Sequence, residues 1–531
     1  MKTKIFCFSV LLIFACGIFF RFFDLNDIPP GVHYDEAFNG LDAISTLESG
    51  DYKIFYTRNT GREGLHINAE AFFFKLFGVN NFGLRFANAL WGTLAIIGMF
   101  FLLREFKFSR LAILAGTFAL AFSFWHLDFS RTAYRGIMVP MVLIWLFYFF
   151  MRGLNRPRYK FLNFTVAGIL LGLGFHTYIA FRAVPLIFLA LGAILIKFHK
   201  NFIRIYWRYA IIFVAVSISI ALPIFIYFSN HKEELRVRTE SVSIFDNPNI
   251  SWTTSFRKSF LTHLRAFIWN GDANPRYNFN RQPLFPPVWQ VFLLAGFALS
   301  AREIYLNFKK KRMAKKEGVI FEPTGTFYAS LIAQISFWIM LIPGVLSIEG
   351  IPHSLRIIGV IPASIIFLTL PFQILSGYFK KHKKTAYAVG LIFLVGGILQ
   401  VYTYFFRWAD DPRTLGGYEK KLYDLGILVK QMKPLEKNYI ILTPTANISS
   451  DNQESSFKTT EFAGYPNIRQ YLFFKPSKIL NIGCKAERII IFEDGEKIRD
   501  QYMENCPGLY ARYVTPAKGI YGFWVIEKND K

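Results

Sequence analysis

Pro29-Pro-Gly-Val-His-Tyr-Asp-Glu-Ala-Phe-Asn-Gly40 decides how this chain is read. It follows an apolar run at residues 5–23 that is long enough to cross a bilayer as a helix. Two prolines and a glycine stop that helix, and an acidic pair, Asp35 and Glu36, opens the next helical pattern. The other apolar runs nearly exclude acids, so adjacent carboxylates at a membrane edge call for a reason.

Working outward, the 531 residues are 53% hydrophobic, 18% aromatic and only 18% charged, beyond what a soluble domain carries. The chain reads as an α-helical polytopic membrane protein. A formal net charge of +25 would also suit a nucleic-acid binder. The lysines and arginines sit in short breaks between apolar runs, however, where they act as topology signals, and nucleic acid is excluded. The start superficially resembles a signal peptide, and Ile13-Phe-Ala-Cys16 a lipoprotein cleavage box. Phe14 is too bulky for that box and apolar residues continue past Cys16, so an uncleaved first span is expected.

Further apolar runs lie near 84–103, 111–127, 137–151, 161–178, 183–197, 209–228, 288–306, 326–347, 356–376 and 385–405, giving about eleven spans. With Lys2 and Lys4 inside, every second break is basic: Arg104, Lys107 and Arg110, then Arg152 to Lys160, and so on to Lys380, Lys381, Lys383 and Lys384. The outward parts are then loops at about 24–83 and 229–287, short turns, and the tail, and chemistry outside the membrane is expected. Residues 1–406 form the expected membrane domain and 407–531 an extracytoplasmic α/β domain, with strands at 439–442, 488–492 and 523–526 and helices at 422–432 and 497–503. Cys484 and Cys506 lie in this oxidising compartment and are available to pair.

The first outward loop holds two amphipathic patterns, beginning at Asp35 and at Leu65, with a charged turn, Gly61-Arg-Glu-Gly64, between them that has room to fold back over the first helix. Neighbouring helical positions differ by about 100°, so Asp35 and Glu36 diverge: one reacts and the other orients. The plain alternative is a pair of acids favoured by the helix macrodipole.

The motifs around the pair weigh against that alternative. They include Gly61-Arg-Glu-Gly64, Phe73-Phe-Lys-Leu-Phe-Gly78, Gly83-Leu-Arg-Phe-Ala-Asn-Ala-Leu-Trp-Gly92, Trp125-His-Leu-Asp-Phe-Ser-Arg131 with Tyr134-Arg135-Gly, His176-Thr-Tyr178 with Phe181-Arg182, Gly271-Asp-Ala-Asn-Pro-Arg-Tyr-Asn278 and Pro352-His-Ser-Leu-Arg-Ile-Ile-Gly359. Together they resemble the GT-C glycosyltransferases, and in particular the bacterial relatives of dolichyl-phosphate-mannose protein mannosyltransferases, across about residues 20–375. The resemblance implies a sugar donor on a polyprenyl phosphate and an acidic motif that works on the acceptor, which makes Asp35 the expected general base with Glu36 beside it. His126-Leu-Asp128 departs from branches whose second acidic motif helps hold a metal. No metal or other cofactor is therefore expected.

Glycosyl transfer from a lipid phosphate needs a base for the acceptor proton and cations for the departing phosphate. Arg131, Arg135, Arg182 and Arg356 break the positive-inside rule by lying in short outward turns, and guanidinium forks suit phosphate oxygens. They are the expected donor-phosphate residues, although any one alone would pass for a snorkelling interfacial arginine. His33, Tyr34, Arg62, Glu63, Tyr178, Asp272, Asn274, Arg276 and His353 are the expected substrate contacts. The histidine spacings match no metal motif, and an interfacial aromatic belt would account for the tyrosines equally well.

The expected partners are a polyprenyl-phosphate sugar, a lipid, glycan or protein acceptor, and the membrane. A ligase or polymerase of lipid-pyrophosphate glycans is the principal alternative. A transporter fits less well, since no matching pair of broken short spans is present.

Overall fold

A computed structural model describes residues 3–199, 201–240, 251–317, 319, 321–347, 350–433, 435–442 and 453–528. Among the described residues, eight helices are long and apolar enough to cross a membrane: Thr3–Phe22, Asn81–Glu105, Arg135–Asn155, Ile179–Phe198, Phe202–Asn230, Pro287–Glu317, Gly325–Val345 and Lys383–Trp408. The other three expected spans fold as the shorter helices Arg110–Phe122, Lys160–Gly174 and Ile361–Ile374. At 1.5 Å per residue, a helix of 13 residues reaches only about 20 Å. Arg110–Phe122 ends where Ser123 turns extended (φ −63°, ψ 124°). The Pro287–Glu317 helix runs past its apolar stretch because Lys309 to Glu317 are mostly good helix formers.

Small residues let these helices approach closely. A Cβ on Gly168 would stand 2.7 Å from the Phe213 carbonyl oxygen, and one on Gly172 the same distance from that of Ser217. The stretch at 229–287, expected as a loop, is instead substantially helical, with Lys232–Glu240 and the amphipathic Trp252–Arg265 among its described residues. In the latter, Ser255, Ser259 and His263 are buried along one face and Arg257 and Leu261 are exposed on the other, a period-3.6 pattern hidden by its many hydroxyl and charged side chains.

The chain divides into two compact units, and the division is not linear. One comprises Met1–Leu25, Tyr52–Ala69 and Arg85–Trp408; the other comprises Asn26–Asp51, Glu70–Leu84 and Ala409–Lys531. In the membrane unit, β1 (Phe55–Tyr56) and β2 (Arg62–Glu63) form a short antiparallel ribbon, which is what the Gly61-Arg-Glu-Gly64 stretch becomes.

The second unit carries a five-stranded sheet of β3 (Asn438–Ile441), β4 (Tyr471–Phe474), β5 (Arg488–Phe492), β6 (Leu509–Val514) and β7 (Phe523–Lys528), in the order β4-β3-β5-β7-β6. β4, β3 and β5 are parallel, and β7 and β6 add antiparallel. Every residue of β5 is buried, as a strand covered on both faces requires. The Lys420–Gln431 helix brings Leu422, Leu425 and Val429 onto Ile440, Ile490 and Phe523. The opposite face packs Ile489, Ile491 and Ile526 with Tyr502 of the Glu496–Asn505 helix and with Cys506, which forms a disulfide with Cys484 across a Cα separation of 5.3 Å. β4, β6 and the helix Gln453–Ala463 were not expected from sequence. β6 alternates exposed and half-buried positions at the sheet edge and so lacks an apolar run.

The Tyr34–Ser49 helix packs on Gln453–Ala463. Gly40, which closes the opening motif, is needed there because a Cβ would stand 2.5 Å from the Phe462 ring.

Candidate functional site

In the membrane unit the charged residues of the first loop meet those of the later turns. Glu63, at 1% side-chain exposure, accepts a hydrogen bond from Arg135 Nε at 2.9 Å, and Arg182 Nη2 stands 3.7 Å from its other oxygen. The ribbon aims Glu63 inward. Gly61 takes φ +85° and lies against the Phe55 ring, where a Cβ would stand 2.4 Å away, so only glycine fits. Arg62 Nε donates to the Arg58 carbonyl at 3.2 Å. Arg135 lies 5.5 Å from the Tyr178 ring centre and Arg182 lies 5.1 Å from that of Phe228, so each cation is also held by an aromatic face.

Arg135, Arg182 and Arg356 share a placement. Arg135 opens the turn before Met138–Asn155, Arg182 sits in the turn before Val184–Phe198, and Arg356 lies two residues ahead of the Ile358–Val360 turn that leads into Ile361–Ile374. Two of these ends touch directly, since a Cβ on Gly136 would stand 2.5 Å from Leu355 Cδ1. Helix N-termini carry partial positive charge, so Arg135 and Arg182, which meet on Glu63, each lie at an end that favours anions. Arg182 keeps 29% side-chain exposure while it holds Glu63.

Arg131, expected with them, points elsewhere. It is fully buried, donates to the carbonyls of Phe20 at 2.6 Å and Asp24 at 3.3 Å, and packs over the Tyr404 and Phe405 rings. His126 Nδ1 accepts from Arg21 Nη2 at 2.6 Å, and Arg21 is a wholly buried cation that sequence reading did not single out.

The second expected cluster is also assembled. Asp272 accepts from the backbone N–H groups of Ser354 at 2.7 Å and Asn274 at 2.9 Å, which ties its loop to the turn before Ile358–Val360. Burial pushes the Asp272 carboxyl up to about 6, against the pull of those hydrogen bonds. Asn274 Oδ1 accepts from Arg276, whose Nη1 donates to the Tyr134 hydroxyl at 3.1 Å. His353 packs against Tyr277 at 5.4 Å, and its backbone N–H donates to His263 Nε2 at 3.2 Å. Burial pushes His263 down to about 4, with the Arg356 charge a smaller cause in the same direction. His263 was missed because nothing in its immediate sequence sets it apart, whereas Tyr134 and Ser354 lie inside quoted motifs whose neighbours, Arg135 and His353, drew the reading.

In the other unit, His33 caps the Tyr34–Ser49 helix. Its Nδ1 accepts from the Asp35 N–H at 3.1 Å, and the Glu36 carboxylate accepts from the His33 N–H at 3.2 Å, completing a capping box. Accepting at Nδ1 puts the neutral ring's proton on Nε2. Glu36 is fully buried, whereas Asp35 retains 32% side-chain exposure with Oδ2 3.4 Å from His33 Nδ1. Tyr34 lies against the His33 ring at 3.9 Å. The two carboxylates diverge as the helical angle requires, and the residue between them and the proline pair, His33, sets their directions. Among the described residues, no three His, Cys, Asp or Glu side chains are grouped to hold a metal ion.

Residues 69–227 match the family described as Dolichyl-phosphate-mannose-protein mannosyltransferase. No curated protein matches the chain by sequence. Among solved structures, the chain is similar to ArnT from Cupriavidus metallidurans in the apo state, with a TM-score of 0.57 at 13% identity over 97% of both chains. It is similar also to the same protein bound to undecaprenyl phosphate, with a TM-score of 0.52 at 14% identity over 97% of both chains. The fold is that of the GT-C glycosyltransferases, and the protein is a multi-pass membrane protein.

Proposed function

We propose that this protein is a glycosyltransferase that moves one sugar from a polyprenyl-phosphate carrier to an acceptor on the extracytoplasmic side of the membrane, with inversion at the anomeric carbon. The observation that carries this reading is the meeting of Arg135 and Arg182, each in the turn that opens a helix, on the buried Glu63. Such a pair of guanidinium groups suits the phosphate of a lipid-linked donor. The fold it shares with ArnT, a protein solved with undecaprenyl phosphate, supports the same donor class.

In the proposed step the acceptor hydroxyl oxygen attacks C1 of the sugar as the C1–O bond to phosphate breaks. The polyprenyl phosphate leaves with the bonding pair, and the hydroxyl proton passes to Asp35. Arg135, Arg182 and Arg356 stabilise the leaving phosphate, and Arg131 takes a structural part. Asp272, Asn274 and Arg276 hold the loop that precedes the Pro287–Glu317 helix, and the N-terminus lies on the cytoplasmic side. No residue role assigned here calls for a metal ion.

Purified protein in lipid nanodiscs, offered radiolabelled polyprenyl-phosphate sugars and envelope extracts as acceptor, tests this. Transfer that vanishes in Asp35→Asn supports the reading. Equal turnover by wild type and Asp35→Asn overturns the base, and consumption of only pyrophosphate-linked oligosaccharide overturns the donor in favour of a ligase.

A further inference from the structure

The second unit contains a polar cup that the transfer reaction does not use. It encloses about 270 Å³ and lies wholly within that unit. One wall is a single face of the Lys420–Gln431 helix, where Lys420, Tyr423, Asp424 and Lys430 recur at helical spacing. The facing wall is built by Asn80 and Asn81, and Lys518 from the β6–β7 turn closes the mouth beside Asp27.

These walls are tied together by polar bonds. Asn81 donates to the Asn26 carbonyl at 2.7 Å and to the Tyr423 hydroxyl at 2.9 Å, and Asn26 Oδ1 accepts from the Phe82 N–H at 3.0 Å. Asp424 is pinned by the Ile520 N–H at 2.9 Å and by Lys420. Four segments distant in sequence thus converge on a cup whose shape is set before any ligand arrives.

The charges in the cup do not balance. Lys420 pairs with Asp424, and Lys518 pairs with Asp27 at 2.7 Å. Lys430, exposed at the rim, donates to the Val79 carbonyl at 3.2 Å and has no carboxylate within ion-pair distance among the described residues. One ammonium group is therefore left facing a small polar cavity bordered by amides, a phenol and the Phe462 ring. The volume falls below the range of about 300–1,000 Å³ typical of drug-sized ligands, which leaves room for one sugar ring. An aromatic floor, amide and hydroxyl walls and one unbalanced cation match a sugar that bears a carboxylate or a phosphate.

We propose that this cup binds an acidic sugar unit, and, resting on the transferase reading above, that the unit belongs to the acceptor. The acceptor class is then an anionic glycan or glycolipid.

The test measures binding to the full-length protein in nanodiscs without any donor, so a failed transferase reading leaves its outcome intact. D-glucuronate and glucose 6-phosphate are the probes, with D-glucose and inorganic phosphate as controls. Both acidic sugars are expected to bind at least about tenfold more tightly than either control, and Lys430→Met is expected to remove at least about tenfold in affinity. Ala517→Trp, an exposed position at the rim, fills the mouth without changing charge and is expected to abolish binding with the melting temperature unchanged. Phosphate binding as tightly as the acidic sugars, or acidic sugars binding both variants as tightly as wild type, would overturn the proposal.

Discussion

The two carboxylates nearest to the ribbon and to the opening motif, Glu63 and Asp35, both lie outside the long membrane helices, yet their surroundings differ in kind. Glu63 has 1% side-chain exposure and lies between two guanidinium groups, while Asp35 has 32% exposure beside a histidine that accepts rather than donates. A buried carboxylate held by arginines is an anchor that fixes the cations' positions. A part-exposed carboxylate on the first turn of a capped helix can exchange a proton. Acidity in an outward loop is thus not one signal, and the partners decide which role each acid takes.

That contrast breaks most readily at Asp35. Asp35→Asn is expected to lower transfer by about 10²- to 10⁴-fold with donor affinity little changed, because it removes general-base help and leaves the fold alone. Equal loss in Glu36→Gln would erase the distinction between the two acids. Next in size, Glu63→Ala leaves two guanidinium groups without their shared counter-ion and is expected to cost about 3–5 kcal/mol, read as a lowered melting temperature in nanodiscs. Arg182→Met, being the more exposed partner, is expected to raise the donor KM by about tenfold with a small stability change.

Asp272 sharpens the comparison through pH. Its folded value of about 6 lies above the ordinary 3.8, so the folded protein favours the protonated carboxyl. Its contribution to stability is full below about pH 4 and is lost as pH rises through 6, and for so buried a carboxyl the difference corresponds to about 3 kcal/mol. Between pH 7 and pH 5 the melting temperature is expected to rise in wild type and to rise less in Asp272→Asn. The smallest effect is at the cap. His33→Ala is expected to cost about 1 kcal/mol, read by chemical denaturation, and to lower turnover through the altered setting of Asp35.

Much of this was legible in the sequence for identifiable reasons. The apolar runs mark the long helices, and the strands at β3, β5 and β7 stand out because their residues face a core. The arginines at 135, 182 and 356 were visible as violations of a charge rule. Arg131 carried the same mark but serves a different end, since only the fold shows that the carbonyls of Phe20 and Asp24 receive it. Arg21 and His263 went unnoticed because burial, which makes them unusual, is a property of packing.

The sequence alone determined the membrane class, the amphipathic helix that starts at the acidic pair, and the divergence of Asp35 from Glu36, because hydrophobicity and helical period are local. Only the tertiary structure decided that residues 26–51 and 70–84 fold with the tail, that Glu63 draws Arg135 and Arg182 together, and that Asn81, Tyr423 and Lys430 share one cup. Those outcomes join residues up to hundreds of positions apart, and no local pattern encodes which of many compatible surfaces will bury one another.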